Sequence, residues 1–244
     1  MRIDASNLSH RALNERIKQA IRAGDTVVEV THVRGHRYIG CGLDQAATIR
    51  LEGIPGNDLA AFMSGPAIWC SGNVQDGVAN TMDAGQVVVP GYAGDVLGYA
   101  MRGGEVFIRG NAGYRIGIHM KSYLDKEPHI VIGGVAKDFA GEYMAGGKLI
   151  ILGLEAEAGQ PLVGRYCGSG MHGGAMYVRG EVPPALVSKG VAVEECGAED
   201  LAELTATLGR YCAALGLAVT EVMDRPFQKL RAVSTRPHGR LYAY

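Results

Sequence analysis

No stretch of this 244-residue chain reaches eighteen consecutive apolar residues, which excludes a helical membrane span. The N-terminus lacks the apolar core of a secretory signal. No CxxC pair occurs, and the five cysteines (Cys41, Cys70, Cys167, Cys196, Cys212) are odd in number. That pattern supports neither a disulfide framework nor an iron–sulfur or zinc site within the chain. These absences together lead to the expectation of a reducing, cytoplasmic setting. Charge of one sign is also lacking. The net charge is −1, with charges spread along the chain, so nothing suggests nucleic-acid or polyanion binding. HExxH, a G-x-S-x-G elbow and a recognisable FMN phosphate site are all missing.

Glycine is what the chain has in excess. There are 36, about twice the usual share of about 7%. They fall in register with methionine. Met63, Met82, Met101, Met120, Met144 and Met171 recur, the first three gaps being nineteen residues each. Gly72, Gly91, Gly110, Gly153 and Gly180 each lie nine residues after a repeat methionine, and Gly53 lies nineteen before Gly72. A fixed period of this length marks stacked supersecondary units.

One unit, Gly91 to Gly110, reads GYAGDVLGYAMRGGEVFIRG. A turn at 91–95 precedes a short apolar stretch through Val96 and Leu97. Gly103-Gly104 forms a second turn, and Glu105 to Arg109 reads as a strand. QVVVPG, KLIILG and AMYVRG repeat the layout. Two strands per nineteen residues leave no room for a crossover helix. The expected fold is therefore an all-β solenoid, a single-stranded parallel β-helix. Its rungs would lie about 4.8 Å apart, making a prism on the order of 30 Å long. Equivalent Met, Val and Ile would stack as internal ladders. Polar extra residues near 121–129 and 154–163 account for the longer gaps of 24 and 27. Insertions of this kind sit as loops, and both are first candidates for partner interfaces.

The ends read as caps. Leu13, Ile17 and Ile21 with Gly24 mark a helix over roughly 8–23. Val27–Val30 and Thr48–Leu51 are candidate first strands. After Pro183-Pro184, the series Leu201, Leu204, Leu208, Tyr211, Leu215 marks a second helix ending at Gly216. The tail from Phe227 to Tyr244 reads as an extended arm packed on this chain or a neighbour. The expected organisation is a helical cap over 1–25, the β-helix over 26–182, and a helix with extended tail over 183–244.

Several residues invite chemistry. Gly168 to Gly173 matches G-x-G-x-x-G, but without the strand, helix and acidic residue of a dinucleotide site it reads as a repeat turn. Gly141 to Lys148 fails as a phosphate loop, because its glycine spacing is one off and Leu149 stands for Ser/Thr. Asp76, Asp95 and Asp138 precede repeat methionines by six residues and should form a column. Stacked carboxylates could supply a glycosidase-like acid/base pair, whereas Asp capping a turn through its own backbone explains the recurrence more simply. Arg115, His119 and Lys121 cluster near Met120, and Cys167 and His172 near Met171. Each group could line a substrate, ion or ammonia passage. The second could also suggest nucleophilic catalysis, but no third orienting group is identifiable. No catalytic, cofactor-binding or metal-binding residue is assigned.

GNVQDGVANTMDAGQVVV (72–89), GYAGDVLGYAMRGGEVFIRGNAGYRIGIHM (91–120), VIGGVAKDFAGEYMAGGKLIILG (131–153) and VGRYCGSGMHGGAMYVRG (163–180) closely resemble the GXGXG domain at the C-terminus of the glutamate synthase large subunit. The match covers roughly residues 30–182. PFQKLRAVSTRPHGRLYAY (226–244) resembles the tail of stand-alone versions in split, archaeal-type glutamate synthases. The resemblance implies a right-handed parallel β-helix and a scaffold without catalytic residues. It implies partners: an FMN- and iron–sulfur-bearing synthase subunit and a glutamine amidotransferase-like subunit, with electrons from ferredoxin or an NAD(P)H-linked oxidoreductase. Similar repeats occur in the repeat-bearing subunit of formylmethanofuran dehydrogenase and in N-methylglutamate synthase-like complexes. A β-helix hydrolase using the Asp column and a structural homo-oligomer are further readings.

Overall fold

The computed structural model describes residues 1–235. In chain order the elements are β1 (Arg2–Asp4), α1 (His10–Arg22), β2 (Val27–Arg34), β3 (Thr48–Ile54), β4 (Ala67–Cys70), β5 (Gln86–Val89), β6 (Glu105–Ile108), β7 (His129–Ile132), β8 (Ala145–Ile151) and β9 (Gly173–Arg179). A 3-10 turn at Pro184–Leu186 leads to β10 (Val191–Glu195), α2 (Ala198–Leu215), α3 (Val219–Val222) and β11 (Phe227–Ala232). From β1 to β9 each strand pairs in parallel with the next. The register follows the repeat, as in Gln86↔Glu105 and Val89↔Ile108. The chain is a parallel β-helix.

The ladders are those expected. Met63, Met82, Met101, Met120, Met144 and Met171 are all buried in one core. Ile49, Ile68, Val87, Val106, Ile130, Leu149 and Met176 stack opposite them, each fully buried and in register. Aliphatic stacking along the axis is favourable in the same way as any apolar burial, roughly 25 cal/mol per Å².

The expectation of two strands per coil is corrected. Each coil has one strand. The stretch leading to each methionine is a pair of overlapping turns instead. In the Val96 coil, Tyr99 N–H donates to Val96 O (3.2 Å) and Met101 N–H to Gly98 O (3.2 Å). Val96, Gly98 and Ala100 all have positive φ (52°, 71°, 51°). The same alternation occurs at Asp58/Ala60/Phe62, Arg115/Gly117/His119 and Phe139/Gly141/Tyr143. Alternate residues in the left-handed region cannot form a β-strand, and positive φ at the third residue is the type II turn requirement. The free N–H groups of this segment go to adjacent coils. Val96 donates forward to Tyr114 O, Gly98 backward to Val78 O and Ala100 forward to Ile118 O, each at 2.8–2.9 Å. The turns are therefore laddered as fully as the strands. The middle position points its Cβ inward and is always Gly or Ala (Gly40, Ala60, Ala79, Gly98, Gly117, Gly141, Gly168).

Both ends are closed. Ser9 caps α1 by accepting from Ala12 N–H, and Leu13, Ile17, Ala20 and Ile21 of α1 belong to the ladder core. At the other end β11 pairs antiparallel with β9, and β10 pairs antiparallel with β11. The arm expected from Phe227 thus packs on this chain as far as Ala232, and the expected tail residues 236–244 lie outside the described residues. Leu230 joins the ladder core.

The helix α2 explains why the strands read as continuous apolar runs. Val88, Phe107, Val131, Ile150 and Tyr177 point outward, away from the ladders, yet are buried in a second core with Leu204, Leu208, Tyr211 and Cys212 of α2. Strands covered on both faces lose their polar alternation. Tyr177 Oη donates to Asp200 (2.9 Å), Lys148 pairs with Glu203 (3.0 Å), Thr207 meets His129 (3.3 Å) and Arg210 pairs with Glu105 (2.6 Å). Successive contacts are three or four helix residues apart and one strand apart. At about 1.5 Å per residue, such a step advances about 5 Å, close to the strand spacing of about 4.8 Å. The helix lies along the solenoid axis, one turn per coil, running from β9 toward β5.

Candidate functional site

The aspartate column forms, but its role differs from a self-capped turn. Asp76 Oδ1 accepts from Asp95 N–H (2.9 Å), Asp95 Oδ1 from Tyr114 N–H (2.9 Å), and Asp138 Oδ1 from Arg165 N–H (2.8 Å). Each carboxylate therefore ties its coil to the next, satisfying a corner N–H that no carbonyl reaches. Asn73 and Asn111 do the same for Tyr92 and Val135 in a neighbouring column.

Cys167 and His172 are not joined as a nucleophile and its base. Cys167 is fully buried, and desolvation pushes its thiol up to about 12. His172 Nδ1 lies 3.1 Å from Gly170 O instead. A catalytic thiol needs the opposite shift. The other thiols follow the same rule. Burial raises Cys70 to about 12 and Cys196 to about 11, and also raises Cys41 and Cys212. Gly168 and Gly170 of the G-x-G-x-x-G match have φ of 72° and 69° and form the turn pair of their coil. A Cβ at Gly170 would lie 2.4 Å from the Tyr143 ring.

The Arg115/His119 pair does meet other groups, on the outer surface of the turns. Arg115 pairs with the buried Glu142 and lies over Phe139, 4.4 Å from its centroid. Phe139 stacks on Tyr166 (4.9 Å). His119 stacks on Tyr143 (5.2 Å, 10°) and receives Tyr99 edge-on (5.9 Å). Tyr99, Tyr143 and Tyr166 are exposed. These aromatics were legible only through the period, since they occupy outward turn positions one coil apart. Among the described residues no contact places Lys121 with them.

Both insertions are tied down by this chain. The 121–129 segment is a tight hairpin, with reciprocal Tyr123/Lys126 bonds of 3.0 Å and Leu124 at its exposed tip. Its Glu127 binds Lys148 (2.9 Å) and His129 (3.0 Å). Although desolvation opposes it, hydrogen bonding from His129 and Lys148 holds Glu127 below the usual carboxylate range. In the 154–163 segment, Glu155 pairs with Arg109 (3.0 Å), and Leu162 covers Gly153. Among the described residues no cluster of three or more His, Cys, Asp or Glu is placed to hold a metal, and no helix is long and apolar enough to cross a membrane.

The sheet face has one further feature that sequence reading missed. Outward positions of β1 to β4 carry Arg2, Glu29, Arg50 and Trp69 in successive register, Trp69 at the margin of the core that α2 covers and the three charged residues beyond it. They line an open concavity of about 520 Å³.

These observations define a class: a parallel β-helix, capped at both ends, whose coils turn through alternating residues in the left-handed region. The chain belongs to the GXGXG motif family, whose model matches residues 7–233. It is 42% identical over 249 residues to the uncharacterized protein MJ1350 of Methanocaldococcus jannaschii, covering 98% of this chain and 95% of that one. Its fold is shared with a chain in the crystal structure of the formyltransferase/hydrolase complex FhcABCD from Methylorubrum extorquens in complex with methylofuran. That match has a TM-score of 0.63 at 20% identity and covers 93% of this chain and 89% of the other.

Proposed function

We propose that this chain is a non-catalytic scaffolding subunit of a glutamate synthase-type oxidoreductase complex. Membership of the GXGXG family across almost the whole described chain carries the reading. In this reading a glutamine amidotransferase-like partner releases ammonia. An FMN- and iron–sulfur-bearing partner then uses it to aminate 2-oxoglutarate reductively, with electrons from ferredoxin or an NAD(P)H-linked subunit. This chain holds those partners in position, in the cytoplasm. Three observations support a scaffold: thiols with raised pKa, an aspartate column engaged by backbone N–H groups, and an Arg115 already neutralised by Glu142. The exposed hairpin tip at Leu124 and the 154–163 loop are candidate contacts.

A second reading is a subunit of a formyl-transferring complex of the formylmethanofuran type. The shared fold with a chain of the formyltransferase/hydrolase complex favours it. Native co-purification of tagged chain from its own cells, with mass spectrometry and a flavin spectrum, separates the two. Recovery with flavin-bearing synthase-like and amidotransferase-like chains supports the first. Recovery with formyltransferase-like or molybdopterin-binding chains moves the assignment to the second. Recovery alone, with turnover by the isolated chain, refutes both.

A further inference from the structure

The sheet face changes character along the solenoid axis. Under α2 the strand charges are matched by helix charges: Glu105 by Arg210 and Lys148 by Glu203. Beyond α2, Arg2, Glu29 and Arg50 are exposed and sit on adjacent strands, Arg2 opposite Glu29 and Glu29 opposite Arg50. Yet none of them forms an ion pair among the described residues. Trp69 stands next in register to Arg50 and is half-buried. It packs at the margin of the core that α2 covers. The concavity these four side chains line is therefore the uncovered continuation of the surface on which α2 lies.

We propose that a helix of a partner protein docks in this concavity, in line with α2 and in the same direction. The inference rests on the scaffold reading above. Its occupant is specified by register and charge. The step of three to four residues per strand that α2 uses sets the spacing. The docking face must carry an apolar residue over Trp69, an acidic residue three or four positions later over Arg50, a basic residue over Glu29 after the same interval, and an acidic residue over Arg2. Four strands at about 4.8 Å call for a helix of roughly twelve residues at about 1.5 Å each. An aromatic anchor beside exposed charges that form no ion pair among the described residues is the pattern of an interface centre with a polar rim. Alternating signs also reject a helix of uniform charge, so the strip selects its partner as well as holding it.

Trp69 is the chain's single tryptophan and reports on the site directly. The full chain is titrated with a synthetic helical peptide bearing Leu, Glu, Lys and Glu at successive three-to-four-residue steps, and with its charge-inverted version. A saturable change in Trp69 fluorescence is expected with the first, at least about ten-fold tighter than with the second, about 1.4 kcal/mol. Arg50→Glu should reverse the preference at that step, and a peptide with Lys there should restore it. Equal response to both peptides, or none to either, overturns the proposal. A photo-crosslinking residue in place of Glu52, at the rim, is read in the native complex. Capture of a partner segment with this pattern supports it. Capture of a second copy of this chain, or of residues 236–244, overturns it. If partners co-purify but none crosslinks here, this inference fails alone. If none co-purifies, the scaffold reading fails and the peptide titration still decides the site.

Discussion

Gly98→Ala tests the turn ladder most directly. Gly98 occupies the middle left-handed position of its coil, at φ 71°. An alanine there incurs about 1–2 kcal/mol for the left-handed conformation. Its Cβ would lie 2.3 Å from Ile130 Cδ1, the tip of a fully buried ladder side chain. Moving that methyl off its rotamer costs about 0.5–1.5 kcal/mol. Restricting the unfolded chain returns about 0.4–1 kcal/mol. The net loss is about 2 kcal/mol, or about 4–8 °C in Tm for a chain of this size. Two companions set the scale. Gly85→Ala drives a Cβ to 2.3 Å from Pro66 O, a backbone atom that cannot rotate away, so it should be the worst of the three. Ala100→Gly acts at an outward left-handed position (φ 51°) and releases strain. It should fall between neutral and about 1 kcal/mol stabilising. Calorimetry should rank the variants Gly85→Ala, Gly98→Ala, Ala100→Gly in order of loss. If Gly98→Ala is no worse than Ala100→Gly, the assignment of inward and outward turn positions is wrong.

Asp95→Asn retains an acceptor for Tyr114 N–H and should leave stability unchanged, whereas Asp95→Ala should lose about 1 kcal/mol. Turnover by the isolated chain that Asp95→Asn abolishes would revive a hydrolase. Acidification should loosen α2 at its N-terminal anchor. Desolvation raises the Asp200 pKa, but bonds from Lys229, Tyr177 and Gly197 N–H outweigh it and leave the carboxyl below its usual range. Its stabilisation is thus present above the ordinary carboxyl pKa of about 3.9 and is lost as pH falls through the depressed value. Amide exchange in α2 should accelerate below about pH 4, and Asp200→Asn should flatten that dependence. At neutral pH, Cys70 and Cys167 should resist maleimide labelling until denaturant is added, since both are buried with pKa values near 12. Rapid native labelling of Cys167 would contradict its burial.

The coil period, the methionine ladder and the helix ending at Gly216 were readable because each rests on spacing alone, and Gly216 does sit at φ 68°. The second strand per coil was misread for a physical reason. Val96, Ala100, Arg115 and His119 are ordinary residues in left-handed positions, where glycine is the expected signal. Only the ladder of coil-to-coil bonds offsets the strain of that backbone, and no local pattern announces it. The Asp column was found by phase, but its acceptor role lies one coil away, beyond any local window. The outward aromatics and the Arg2–Glu29–Arg50–Trp69 strip carry no motif. Their meaning depends on where α2 stops, which tertiary packing decides.

The closure of both ends bears on where partners can bind. A solenoid with open end rungs would recruit neighbours by strand addition. Here α1 inserts Leu13 and Ile17 at one end of the ladder core, and β11 turns antiparallel over β9 at the other. Among the described residues the remaining edges are the three-residue β1 and the five-residue β10, the latter carrying Glu194 paired to Arg231 (2.5 Å). Short, charged edges oppose further pairing. Under the scaffold proposal, partner contacts fall on the lateral faces, and those faces differ. The turn face offers stacked aromatic rings beside the ion pair of Arg115 with Glu142. The uncovered part of the sheet face offers exposed charges of alternating sign beside one tryptophan. Under the scaffold role proposed above, two different proteins need two surfaces that do not compete, and the turn face and the uncovered sheet face of the stacked coils are the two candidates.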